Sequence, residues 1–215
     1  MGLAKVPAIV INRQMCFREL ITMCSRFFLI PLTAAICLVF PVLASQWETS
    51  PGNAAAHRHF PGTQFNVDTV SGLSMLWRFD SGDGVKFDTV QATPVFTGQF
   101  LVTVTARGDV VALEPATGDV VWRRSFATPV GRRGITAHTD QSGAKLLFVP
   151  AKDGIHKLDA NTGESLGLMT SGLSLLQPVV MNGQVFVATL KEGLKAFDLQ
   201  SGDQIWHRPL EKNNK

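Results

Sequence analysis

The apolar residues of this chain fall in short, β-branched runs broken by glycine and acidic residues. Phe100-Leu101-Val102-Thr103-Val104-Thr105 is one such run. Arg107-Gly108-Asp109 follows it and reads as a hairpin turn, and Val110-Val111-Ala112-Leu113 resumes as a second strand. Ala116-Thr117-Gly118-Asp119 is a further turn, with Gly118 suited to a positive φ, and Val120-Val121-Trp122 begins the next strand. No stretch sustains the 3.6-residue apolar period of an amphipathic helix. The pattern predicts an all-β chain.

The pattern also repeats. Thr93-Pro94-Val95 through Trp122 matches Gln177-Pro178-Val179 through Trp206, with 28 residues from proline to tryptophan in both. From proline to the turn glycine, Gly118 or Gly202, the separation is 24 residues in both. A middle copy over 148–167 keeps Leu158-Asp159 and Thr162-Gly163 but has no tryptophan. Trp77, in Leu73-Ser74-Met75-Leu76-Trp77, reads as the tail of one more copy. The steps between copies are 45, 45 and 39 residues, and each copy holds about four short strands. That is the pattern of a β-propeller blade, which cannot bury both faces without neighbours. Trp77, Trp122 and Trp206 are therefore expected to pack between blades. The expected fold is a partial β-propeller of four-stranded blades, about three of them, over 45–215. Closed propellers take about 4–8 blades. Two accounts follow: the chain is the N-terminal part of a longer protein, or a short chain closes a ring by associating with other copies.

Residues 27–44 run for 18 positions without a charge, after Arg26. Val42-Leu43-Ala44 supplies small residues before Ser45. This reads as a signal peptide over 1–44, with Met23 as an alternative start; a retained membrane anchor is the competing reading. Either way the body is expected on the exported side, in the periplasm. All three cysteines (Cys16, Cys24, Cys37) lie in the leader, so the body has no thiol chemistry. The body carries 16 Lys+Arg and 16 Asp+Glu, so the net charge of +3 belongs to the leader. A neutral body argues against nucleic-acid binding.

The element Ala112-Leu113-Glu114…Thr117-Gly118…Trp122, repeated as Ala196-Phe197-Asp198…Ser201-Gly202…Trp206, resembles the tryptophan-docking motif of quinoprotein (PQQ-type) propellers. Trp47, Gly52, Arg58, Gln64-Phe65-Asn66, Val70, Leu73, Leu76-Trp77 and Ser81-Gly82-Asp83 are similar to the N-terminal segment of PQQ-dependent alcohol and glucose dehydrogenases. The blade motif is shared with non-catalytic propellers, including the lipoprotein of the outer-membrane β-barrel assembly machinery. The resemblance implies PQQ on the propeller axis with a Ca²⁺ ion. It implies hydride transfer from a small alcohol or aldose sugar, with an Asp base from a later blade. Arg133 matches the arginine that contacts PQQ in this family. Gln91 stands where the family has a glutamate near the cofactor, and Arg107 where the glucose enzymes have a histidine. Ala188-Thr189-Leu190 replaces the family's Ser-Gly-Ala loop. No catalytic base and no metal ligand can be matched, so these blades are not expected to catalyse alone. The alternative is a non-catalytic propeller scaffold for envelope proteins.

Other candidates read as structure. His57 and His59 read as a polar loop, and Asp80, Asp83 and Asp88 as a turn without EF-hand spacing. His138 and His156 show no evident carboxylate partner in the sequence.

Overall fold

The computed structural model describes residues 9–10, 47, 66–83, 91–169 and 171–210. Apart from Ile9–Val10 the leader lies outside the described residues, as do the His57/His59 loop and Asp88. After β1 (Ile9–Val10) and a single 3-10 turn at Val70–Gly72 comes β2 (Met75–Trp77), which pairs antiparallel with β1. Three four-stranded antiparallel sheets follow, each a meander in chain order. Blade 1 is β3 (Val95–Phe96), β4 (Leu101–Val104), β5 (Val110–Leu113) and β6 (Val120–Arg124). Blade 2 is β7 (Thr136–Thr139), β8 (Lys145–Pro150), β9 (Ile155–Asp159) and β10 (Ser165–Met169). Blade 3 is β11 (Val179–Met181), β12 (Gln184–Thr189), β13 (Gly193–Asp198) and β14 (Gln204–Arg208).

Side-chain alternation decides how the blades stack. In β4 only alternate residues are buried, Val102 and Val104, and in β12 Val185, Val187 and Thr189. In β8 five consecutive residues, Leu146 through Pro150, are buried. Successive side chains point to opposite faces of a sheet, so β8 must be covered on both sides. It is. Leu147 and Val149 join Val102, Val104 and Val110 of blade 1 in one core cluster. Leu146 and Phe148 join Val185, Val187 and Phe197 of blade 3 in another. The middle blade thus buries two faces against its neighbours, and in blade 1 the strand β5 is likewise buried at every position from Val110 to Leu113.

Tryptophans close the periphery of these joints. Trp77 Nε1 donates to Pro115 O at 2.9 Å, and Trp122 Nε1 donates to Ala160 O at 3.2 Å. Each indole lies on the glycine three residues after its acceptor. A methyl group added at Gly118 would sit 2.5 Å from Trp77 Cδ2, and one at Gly163 would sit 2.7 Å from Trp122 Cε3. Trp77 and Trp122 are thus inter-blade packing, as expected.

The joint between blades 2 and 3 is built differently. Cross-strand pairing sets Trp122 opposite Ala112 and Trp206 opposite Ala196, but Gly167 opposite Lys157. Glycine occupies the tryptophan position. Lys157 Nζ donates to Leu199 O at 2.8 Å. Leu199 precedes its turn glycine, Gly202, by three residues, as Pro115 and Ala160 precede theirs. A lysine ammonium thus does the hydrogen bonding that an indole does elsewhere. Met169 supplies the apolar cover, its Cγ 3.7 Å from a methyl group placed on Gly202.

Candidate PQQ-facing end

Each link between blades is fastened to the turn between the second and third strands of the blade it enters. In blade 1, the backbone N–H of Arg107 donates to Asp83 Oδ2 at 2.8 Å, and Arg107 Nε donates to Asp83 O at 3.2 Å. Burial works against the Asp83 carboxylate. The Arg107 N–H, the Thr105 hydroxyl and the charges of Arg123 and Arg107 outweigh it and hold this carboxyl below its ordinary value. In blade 2, Thr128 Oγ1 donates to Asp153 Oδ1 at 2.8 Å, and His156 Nε2 lies 3.0 Å from the same oxygen. His156 therefore has the carboxylate partner that the sequence did not reveal, three residues upstream across the turn. In blade 3, Lys195 Nζ donates to Ser171 O at 3.1 Å and pairs with the Glu192 carboxylate. Glu192 is held below its ordinary value by that hydrogen bond and charge. The other histidine, His138, is pushed down by burial, against the opposing charge of Asp140.

The residues expected to face the cofactor gather near these turns. The pairs Val95–Val102, Thr136–Phe148 and Val179–Phe186 align the three inner strands. Four residues upstream of these strand positions stand Gln91, Arg132 and Leu175; three upstream stand Ala92, Arg133 and Leu176. The backbone N–H of Gln91 donates to Arg132 O at 3.2 Å, which joins the first two of these heads. A methyl group on Gly131 would fall 2.8 Å from Leu175 O, so the second and third heads are equally close. A methyl group on Gly108 would lie 3.6 Å from Val130 Cβ, which sets the Arg107 turn beside the link carrying Arg132-Arg133.

Gln91, Arg107 and Arg133 are therefore at one end of the molecule, and all three are exposed. Their side chains are not equally available. Arg107 is engaged by Asp83. The Arg133 guanidinium and the Gln91 carboxamide have no partner among the described residues. Gln177 also belongs here and was missed from the sequence: its Nε2 donates to Ile135 O at 2.6 Å, bracing the heads of blades 2 and 3. Its place before Pro178, matching Thr93 before Pro94, was the available signal. Ala188-Thr189 ends β12 and Leu190 begins the turn after it; Thr189 Oγ1 donates to Gly193 O at 2.9 Å. An open depression of about 530 Å³ lined by Trp206, His207 and Arg208 lies on β14, a strand that contributes none of these head residues.

A family model described as the glucose/ethanol/alcohol dehydrogenase β-propeller domain matches residues 47–172. The chain belongs to this PQQ propeller family. Its relatives divide by role. It is 33% identical over 113 residues to the outer membrane protein assembly factor BamB of Alteromonas naphthalenivorans, covering 46% of this chain and 27% of that protein. It is also 33% identical over 88 residues to quinoprotein glucose dehydrogenase A of Acinetobacter calcoaceticus, covering 38% of this chain and 11% of that protein. In fold it matches a europium-containing methanol dehydrogenase with a TM-score of 0.62 at 21% identity, over 78% of this chain and 32% of that one. The chain thus spans about a quarter of the BamB relative and about a tenth of the glucose dehydrogenase.

The donor set at the Arg133 end fits one of the family's two groups. PQQ carries carboxylates and quinone oxygens, and an exposed guanidinium fork with no competing acid suits either. Gln91 and Arg132 are adjacent donors. Calcium is a different matter: no three His, Cys, Asp or Glu side chains gather to hold a metal ion among the described residues. Asp80 and Asp83 lie three residues apart in the link into blade 1, and Asp83 is spent on Arg107.

Proposed function

We propose that these blades form one side of the quinone site of an exported PQQ-dependent dehydrogenase acting on an alcohol or aldose. Arg133 is the residue that contacts the cofactor. The convergence of Gln91 and Arg132-Arg133 on one end, with the Arg133 fork uncommitted, is the observation that carries this reading. PQQ, when bound, supplies the hydride acceptor. Arg133 would hold its negative groups, and its fixed charge would favour added negative charge on the quinone oxygens. Gln91 donates or accepts a neutral hydrogen bond where the resemblance leads one to expect an acid. Calcium ligands and the base would come from outside these residues, so the blades alone bind and orient without turning substrate over. The leader at 27–44 would direct the chain to the periplasm, which fractionation of cells and the intact mass of the recovered protein would check.

The test is equilibrium titration of the purified chain with PQQ, followed by quenching of tryptophan fluorescence. The wild type should saturate, and Arg133→Ala should bind at least about tenfold more weakly, the expected loss of a charge-assisted pair. Equal binding by both, or none by either, would exclude the assignment. A second reading gains support from Arg107, which is tied to Asp83, and from Gln91, which lacks the acid's charge. In that reading the propeller is a scaffold in envelope assembly, the role printed in the BamB name. Failure to bind PQQ would leave that reading standing.

A further inference from the structure

The outer strands of the three blades are not alike. At aligned positions β6 carries Trp122-Arg123-Arg124 and β14 carries Trp206-His207-Arg208, whereas β10 carries Gly167-Leu168-Met169. Arg123 donates to Ser81 O at 3.0 Å, Arg124 to Gly163 O at 3.1 Å, and His207 bonds Glu192 O at 2.6 Å. Blade 2 has lost the aromatic ring and both polar side chains together. What remains is an apolar rim, with Leu166 52% and Leu168 45% exposed. No charged residue lies in β10 to guard it.

The root of the missing side chain is open. A methyl group built on Gly167 meets nothing within 4 Å. Across the joint, the turn glycine Gly202 meets only Met169 at 3.7 Å, while its counterparts Gly118 and Gly163 lie against indoles at 2.5 and 2.7 Å. The acceptor carbonyl of Leu199 is held by Lys157, whose ammonium regains water at little cost when it swings outward.

We infer that this notch between blades 2 and 3 is a docking site for a tryptophan side chain of a partner polypeptide. The two neighbouring joints of the same chain fix the occupant's chemistry. Each is filled by a flat ring that lies on the turn glycine and donates an N–H to the carbonyl three residues before it. The notch keeps the glycine and the carbonyl, with the Met169 side chain and the Lys157 ammonium standing where the ring would lie. A phenylalanine would cover Gly202 without a donor to take over the carbonyl from Lys157, and a leucine would cover less of Gly202.

The experiment is a ¹⁵N chemical-shift titration of the full chain with N-acetyl-tryptophanamide, and with the phenylalanine and leucine amides as comparators. The tryptophan amide should give saturable shifts centred on Gly167, Met169, Leu199 and Gly202, and should bind more tightly than either comparator. In Lys157→Met, which frees the carbonyl and keeps the stem, the tryptophan amide should bind about fivefold tighter, the worth of one neutral hydrogen bond. The preference for tryptophan over phenylalanine should persist there. Absence of saturable shifts at these residues, in the wild type and in Lys157→Met, would overturn the inference. Equal binding of all three amides would overturn it too, because it would mark a merely apolar surface.

Discussion

Gly163→Ala tests whether indole-on-glycine contact holds the blades together. Gly163 has φ +74°, a conformation that costs an alanine about 1–2 kcal/mol. Its new methyl group would sit 2.7 Å from Trp122 Cε3 and 3.0 Å from Cδ2 and Cζ3. The ring cannot withdraw freely, because Nε1 is tied to Ala160 O and the indole packs on the core of blades 1 and 2. Overpacking of this kind costs about 1–3 kcal/mol more. The total is about 2–5 kcal/mol. Gly143→Ala is the control: its φ is +87°, but a methyl group there meets nothing within 4 Å. It should lose only the backbone part, about 1–2 kcal/mol. Urea unfolding followed by circular dichroism would measure both. In the double variant Trp122→Ala/Gly163→Ala the clash is gone, so the coupling between the two sites should be about 1–3 kcal/mol in the favourable sense. If Gly163→Ala and Gly143→Ala lose the same stability within about 0.5 kcal/mol, the docking contact is not what joins blades 1 and 2.

Four further outcomes are expected. Trp77→Phe keeps an aromatic ring on Gly118 but removes the donor to Pro115 O, and should cost about 1 kcal/mol in the same urea assay. The Asp83 carboxyl is held below its ordinary value in the folded chain, so its contribution is complete above about pH 5 and is lost as the pH falls through the folded-state value, below about 4. Asp83→Asn should therefore be less stable at neutral pH and should show a shallower loss between pH 5 and 3, measured by thermal melts across that range. Arg133→Ala should melt within about 2 °C of the wild type, because its exposed side chain holds nothing in the fold. Arg107→Ala should melt lower, because the Nε bond to Asp83 O ties a link to its blade.

Sequence alone determined the strands, the repeat and the packing of two tryptophans between repeats. Those depend on local properties: β-branched runs, turn glycines and a fixed spacing that survives in the primary structure. That the apolar run Leu146-Leu147-Phe148-Val149 is covered on both faces came with the stacking of the blades. Only the tertiary structure decided what the polar side chains do. Arg107 and Asp83, Asp153 and Thr128, and Lys195 and Ser171 meet 24 or 25 residues apart because each link runs back past a turn of the blade it enters. No short motif encodes that return path. Likewise, the missing tryptophan of the middle copy was legible, but its replacement was not. Lys157 reaches Leu199 across 42 residues because the glycine opposite it left room. A hydrogen-bond donor can come from any element that arrives at the acceptor, and which element arrives is decided by how the sheets stack.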